Sequence, residues 1–84
     1  MNSDVIEATV LEPGSFRVRF ADGLEGMVRF APSAYRGVFA RLRDPEAFGQ
    51  LYVNDYFVTW PGELDLCPES MRQQIEESGE CVLE

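Results

Sequence analysis

Apolar and polar residues alternate with period two along much of the chain, and this alternation predicts strands. Phe16, Val18 and Phe20 alternate with Arg17 and Arg19; past Asp22-Gly23, Leu24, Gly26, Val28 and Phe30 alternate with Glu25, Met27 and Arg29. Two registers compete for this hairpin. A two-residue Asp22-Gly23 loop sets Phe20 against Glu25 and Phe16 against Arg29, which mixes charge into the apolar face. A three-residue Ala21-Asp22-Gly23 loop matches Phe20 with Leu24, Val18 with Gly26, Phe16 with Val28 and Arg19 with Glu25. A slip of one residue inverts every side chain, so face-matching selects the three-residue form. Gly23 then takes the left-handed position of a G1 bulge.

Residues 4–11 read as a first strand, with Ile6, Ala8 and Val10 on one face and Val5, Glu7 and Thr9 on the other. Glu12-Pro13-Gly14-Ser15 has turn chemistry, Pro presetting φ and Gly permitting a positive one. The result is an antiparallel three-stranded meander. Ala31-Pro32-Ser33 opens a short helical segment near 32–37 that Gly37 ends, leaving Val38, Phe39 and Leu42 as core anchors on an irregular connection. Asp44-Pro45-Glu46-Ala47-Phe48 carries an N-cap acid and a proline at the first helical position, so it predicts one turn near 45–48 above a buried Phe48.

Leu51 to Trp60 predicts a second hairpin around Asn54-Asp55. Val53 faces Tyr56 and Leu51 faces Val58 on one side, with Trp60 on that same face; Tyr52 faces Phe57 on the other. Trp60-Pro61-Gly62 turns the chain out of the sheet, and Leu64 and Leu66 return to the core. Pro68-Glu69-Ser70 opens a C-terminal helix near 68–78 whose apolar stripe is only Met71 and Ile75, with Gly79 as its stop. The expected fold class is α+β, an antiparallel β-meander plus a second β-hairpin, in a single domain over 4–78. Residues 79–84 are expected to be a frayed tail.

With 84 residues, one small core is affordable and a large enclosed cavity is not. No long apolar run suits a membrane span and the N-terminus has no signal-peptide pattern, so a cytoplasmic protein with no membrane partner is expected. Cys67 and Cys81 are expected to be free thiols, the first packed near the start of the last helix and the second exposed near the tail. The net charge of −8 weighs against a sequence-independent grip on phosphates. Its distribution is uneven: residues 1–43 carry six arginines and five acids, residues 44–84 one arginine and ten acids, and there is no lysine. An acidic half is a solvated face or a surface for a basic partner.

Without histidine, the chain lacks the commonest general base and metal ligand. Its serines and thiols have no imidazole to activate them, no cysteine spacing suits zinc, and the glycines form no phosphate loop. Asp22, Glu25 and Asp65 stand in or beside turns, where acids cap backbone N–H groups. Hence no catalytic residue, cofactor or metal is predicted, and an enzyme is disfavoured. Phe16 and Phe20 read as core, with Arg17 and Arg19 as a solvated outer face rather than a base-stacking platform. The Tyr52–Phe57 pair lies opposite the core face of its hairpin. Left uncovered by a helix, it is an exposed aromatic patch and a candidate interface.

An ordered set of residues carries a resemblance: Phe20-Ala21-Asp22-Gly23 with Gly26, then Phe39, Leu42-Arg43-Asp44-Pro45 and Phe48, then Trp60-Pro61-Gly62, Leu64-Asp65-Leu66 and Pro68. Over about residues 4–72 the chain resembles the bacterial domain-of-unknown-function family numbered twenty-four forty-two. That family often has Val-Asp-Leu where this chain has Val28-Arg29-Phe30. The resemblance implies a small α+β fold with no established activity. Some relatives carry a helix-turn-helix domain after this one; others are small proteins held to be encoded beside a toxin, which implies an antitoxin-like or other partner-binding role.

The expected function is a non-catalytic protein-interaction module, the acidic partner of a basic toxin-like protein or of another copy of itself. Candidate contact residues are Tyr52 and Phe57 on the hairpin, with Glu69, Glu76, Glu77 and Glu80 toward the C-terminus. Three alternatives stay open. One is a nucleic-acid-associated regulator using Arg17, Arg19, Arg36, Arg41 and Arg43, although nucleic acid is disfavoured for the isolated domain. The others are a self-associating structural protein and a small ligand-binding or catalytic protein.

Overall fold

A computed structural model describes residues 4–62 and 64–84, the Val38 side chain excepted; the expectation that Val38 anchors the core falls outside the described residues. Two sheets enclose one core. The first has the order β1-β2-β3-β7, from β1 (Val5–Glu12), β2 (Ser15–Phe20), β3 (Glu25–Phe30) and β7 (Glu80–Leu83). The second is β4 (Tyr52–Asn54), β5 (Phe57–Trp60) and β6 (Leu64–Leu66), all antiparallel. Helices α1 (Pro45–Phe48) and α2 (Pro68–Ser78) complete an α+β fold, with 3₁₀ turns at Pro32–Ala34 and Gly37–Arg43.

The β2–β3 hairpin has the three-residue loop. Phe16 pairs with Val28, Val18 with Gly26 and Arg19 with Glu25, and Gly23 has φ +96°. The Phe20 N–H donates to the Leu24 carbonyl at 2.8 Å, closing the loop. Pro13-Gly14 closes the β1–β2 hairpin with Gly14 at φ +87°.

Strand β1 corrects the expected face pattern. Its register against β2 skips at Ile6 and again at Leu11, so each is the extra residue of a bulge. The first bulge shifts the pleat by one position. Val5 therefore joins Ala8 and Val10 on the inner face, while Ile6 turns outward and is 48% exposed. Both bulges fall on the edge strand, where they spoil a template for further pairing.

Between the sheets, Asp44 caps α1 as expected, its carboxylate accepting from the Glu46 N–H at 3.0 Å, and Phe48 is fully buried. Gly37, expected to end a helix, instead opens the second 3₁₀ turn at φ +58°. Leu42 is buried and Phe39 packs against the core. The second hairpin turns at Asp55-Tyr56, one position beyond the expected Asn54-Asp55. Val53 pairs with Val58, Tyr52 with Thr59 and Asn54 with Phe57. The face assignment of the strands survives, because the shift preserves parity and sets two valines opposite each other. Tyr56 does not join the core; it is a turn residue, 54% exposed. Leu64 and Leu66 are buried as expected, and they lie on a third strand, β6, which pairs with β5 and extends the expected hairpin to three strands.

Residues 79–84 also correct the expectation of a frayed tail. The Gly79 N–H bonds the Ile75 carbonyl at 2.7 Å and Gly79 adopts φ +85°, the left-handed stop of α2. The chain then runs along the open edge of β3 as β7, parallel to it, with Met27 beside Glu80, Val28 beside Cys81 and Phe30 beside Leu83. A helix with Pro68, Met71 and Ile75 buried is thus followed by a strand whose Cys81 is fully buried. The thiols are the reverse of the expected pair: Cys67 is exposed and Cys81 buried.

Helix α2 lies against the inner face of the first sheet at Gly26. A Cβ built there would fall 2.5–2.8 Å from three carbons of Ile75, so the helix approaches a notch that any side chain closes. Gly26→Val is expected to destabilise the fold by about 1–3 kcal/mol through overpacking, measured from urea midpoints. In a double-mutant cycle, Ile75→Ala recovers part of that loss; strict additivity counts against the contact.

Candidate functional site

The second sheet brings the hairpin tip and the start of α2 together. Val58 pairs with Leu66 in antiparallel register, so Phe57, just before Val58, and the segment just after Leu66 that enters α2 are neighbours at one end of the sheet. The backbone of β1 closes the third side: the Val5 N–H donates to the Tyr56 carbonyl at 3.2 Å, which holds Asp4 beside the turn. The result is an open cleft of about 300 Å³ lined by Asp4, Asp55, Tyr56, Phe57, Cys67, Pro68 and Glu69. Asp55 and Tyr56 adopt φ +51° and +68°, as a tight two-residue hairpin loop demands, and for tyrosine that conformation is strained.

Of the residues expected to meet a partner, Phe57 and Glu69 converge in this cleft. Tyr52 is 46% exposed and Phe57 39%, and the observed register makes the two rings diagonal neighbours rather than direct opposites. Glu76 and Glu80 are engaged within the chain. Glu76 bonds the Arg72 Nε at 2.8 Å, and Glu80 bonds the Arg29 Nη2 at 2.6 Å, joining β7 to β3. Glu77 is exposed on α2, about two turns from Glu69. Sequence reasoning missed Tyr56, assigned to the core through the misplaced turn, together with Asp4 and Asp55. The available signal was the valine pair, which favours closing the hairpin one position later.

The arginines named for nucleic acid are partly consumed by the fold. Arg19 pairs with Glu7 at 3.5 Å rather than with Glu25 opposite, and Arg41 donates to the Pro61 carbonyl at 2.6 Å. Arg36 reaches the Glu84 carbonyl at 3.5 Å, and Arg43 lies 5.3 Å from the Tyr35 ring centre. Among the described residues, no group of three or more acids and cysteines is placed to hold a metal ion.

A family model described as a protein of unknown function, DUF2442, matches residues 5–77. The chain belongs to this family. No curated protein and no solved structure matches the chain. The DUF2442 match takes in the hairpin tip and the first turn of α2, and ends before β7. Arg29 on β3 binds Glu80 of β7.

One electrostatic knot fixes α2. The Arg72 guanidinium makes two bonds to Asp22, at 3.1 and 2.7 Å, and lies 5.3 Å from the centre of the Phe20 ring. Hydrogen bonding from Arg72, then from the Leu24 N–H, lowers the Asp22 pKa to about 2. The carboxylate remains two-fifths exposed, so solvent screens the pair. At the cleft, the amides opening α2, that of Ser70 foremost, lower the Cys67 thiol's pKa, whereas burial raises that of Cys81.

Because the folded Asp22 pKa lies below its ordinary value of 3.8, its contribution is complete above about pH 4 and is lost as pH falls through about 2. Asp22→Asn is expected to lower stability at neutral pH, with the gap to wild type narrowing between pH 4 and pH 2 in denaturation curves; a constant gap contradicts the pairing. A thiol reagent should label Cys67 in the native protein and Cys81 only on unfolding, read by mass spectrometry. Fast native labelling of both would show that β7 does not hold.

Proposed function

We propose that this DUF2442 protein is a non-catalytic protein-interaction module of the cytoplasm, whose partner docks on the exposed end of the second hairpin. The observation that carries this reading is the distribution of its aromatic residues. Tyr52, Tyr56 and Phe57 stand outside on one hairpin, 46%, 54% and 39% exposed, while the other aromatic side chains are buried in or packed against the core. In so small a chain three grouped exposed rings constitute a contact surface, since aromatic side chains dominate the energetics of protein interfaces. The absence of histidine from the chain and the internal engagement of Arg19, Arg29, Arg41 and Arg72 support this reading over catalysis or phosphate binding. With a net charge of −8, the module is the acidic, neutralising half of a two-protein system whose other half is basic, in line with the antitoxin-like role that the family resemblance implies.

Affinity purification of the full chain from its native host at low salt should recover a stoichiometric basic protein. The variant Tyr52→Ser/Phe57→Ser should lose that protein while keeping the wild-type circular dichroism spectrum. Recovery of no such protein, or equal recovery by the variant, removes the reading.

A further inference from the structure

We propose that the outer face of the first sheet joins this chain to a second copy of itself in a weak symmetric dimer. The core takes the inner face of that sheet, through Phe16, Val18, Val28 and Cys81. On the opposite face Arg17, Arg19, Glu25, Met27 and Arg29 are all exposed. Six large apolar side chains are exposed among the described residues, and they fall into two groups. Tyr52, Tyr56 and Phe57 belong to the second hairpin. Ile6, Leu11 and Met27 belong to the first sheet, Met27 at the middle of its outer face and the other two at the bulges of β1. This interface lies on a different surface from the hairpin docking, so either can fail while the other stands.

The charges select the occupant. The cross-strand register puts Arg17, Arg19 and Arg29 on this face with Glu7, Glu12, Glu25 and Glu80, so it is nearly neutral in a chain of net charge −8. A basic protein would meet the arginines and a nucleic acid the glutamates. A surface that itself mixes the two signs answers both. A two-fold axis along the strands, between β2 and β3, lays β2 of each copy over β3 of the other in the aligned packing of sheet on sheet. The register then sets Arg19 against Glu25, Arg17 against Met27 and Thr9 against Glu80 across the axis, and opposes no two like charges. An axis across the strands at Arg17 instead opposes Arg17 to Arg17, Glu80 to Glu80 and Glu7 to Glu12. Within one copy Arg19 leans to Glu7 at 3.5 Å, and the Glu25 side chain has no ion pair or hydrogen bond among the described residues; the dimer supplies one. Four strands about 4.8 Å apart, at about 3.4 Å per residue, offer a footprint of about 400 Å² per copy. That is the size of a weak interface, so assembly is read at high protein concentration.

Sedimentation equilibrium of the full chain, at concentrations up to about 500 µM, should show a monomer in exchange with a dimer. Arg19→Glu alone and Glu25→Arg alone each oppose like charges at two symmetry-related contacts, and each should weaken the dimer by about tenfold or more while keeping the wild-type circular dichroism spectrum. An equimolar mixture of these two variants should recover the dimer, because every such contact then joins a glutamate to an arginine; a role confined to one chain predicts no recovery. Met27→Arg, which opposes Arg17, should also be monomeric, and Tyr52→Ser/Phe57→Ser should assemble as the wild type does. A wild type that stays monomeric throughout, single variants that assemble normally, or a mixture that stays monomeric overturns the proposal. So does loss of the dimer in the hairpin variant, which would move the contact to the other surface.

Discussion

The two sheets are joined by ring packing. Phe16 and Phe30 project from the first sheet, Trp60 from the second, and Phe48 from the single turn of α1 between them. Phe16 meets Phe48 and Trp60, Phe30 meets the same two, and Phe48 meets Trp60, with centroids 5.6–6.1 Å apart and each pair tilted or edge to face. Such geometry sets the positive ring edge against the negative face, worth about 0.5–1.5 kcal/mol per pair beyond area burial. The buried Trp60 Nε1–H donates to the Phe48 carbonyl at 2.9 Å, satisfying the indole and fixing α1 to β5. Through Trp60 this cluster also sets where β5 lies, and so where its other end presents Phe57 and the turn.

A second attachment compensates for a weak helix. With only Pro68, Met71 and Ile75 buried, α2 has a narrow anchoring stripe. It is seated by the notch at Gly26, by the Arg72–Asp22 bonds to the first hairpin loop, and by β7, which continues from it along β3. The seat of α2 in turn places Glu69 beside Phe57. The candidate site is thus assembled from β1, the second hairpin and α2, and none of them holds it alone.

The surface follows the same economy. Most cations in this acidic chain stabilise neighbouring strands, turns and the helix, and beside the exposed rings of Tyr56 and Phe57 the cleft is lined by Asp4, Asp55 and Glu69. That coincidence depends on a strained turn, because Tyr56 at φ +68° points away from the core that its hydrophobic character would favour.

Local chemistry made much of this legible from residues alone. The three-residue loop at Gly23, the Pro13-Gly14 turn, the Asp44 cap, the stop at Gly79 and the exposure of Tyr52 and Phe57 follow from face-matching and from backbone preferences that neighbours in sequence decide. What the sequence left open were choices between partners far apart in the chain. Ile6 faces outward because a bulge against β2 moves the pleat; the second hairpin closes at Asp55-Tyr56 because Val53 meets Val58; residues 80–83 become a strand because β3 has an edge to offer. Alternation is blind to an extra residue and a strand cannot announce which edge it joins, so local pattern settled most of the elements and the faces of β2 to β5, whereas tertiary contacts decided the pleat of β1, the strands β6 and β7, and with the pairing of distant segments the cleft.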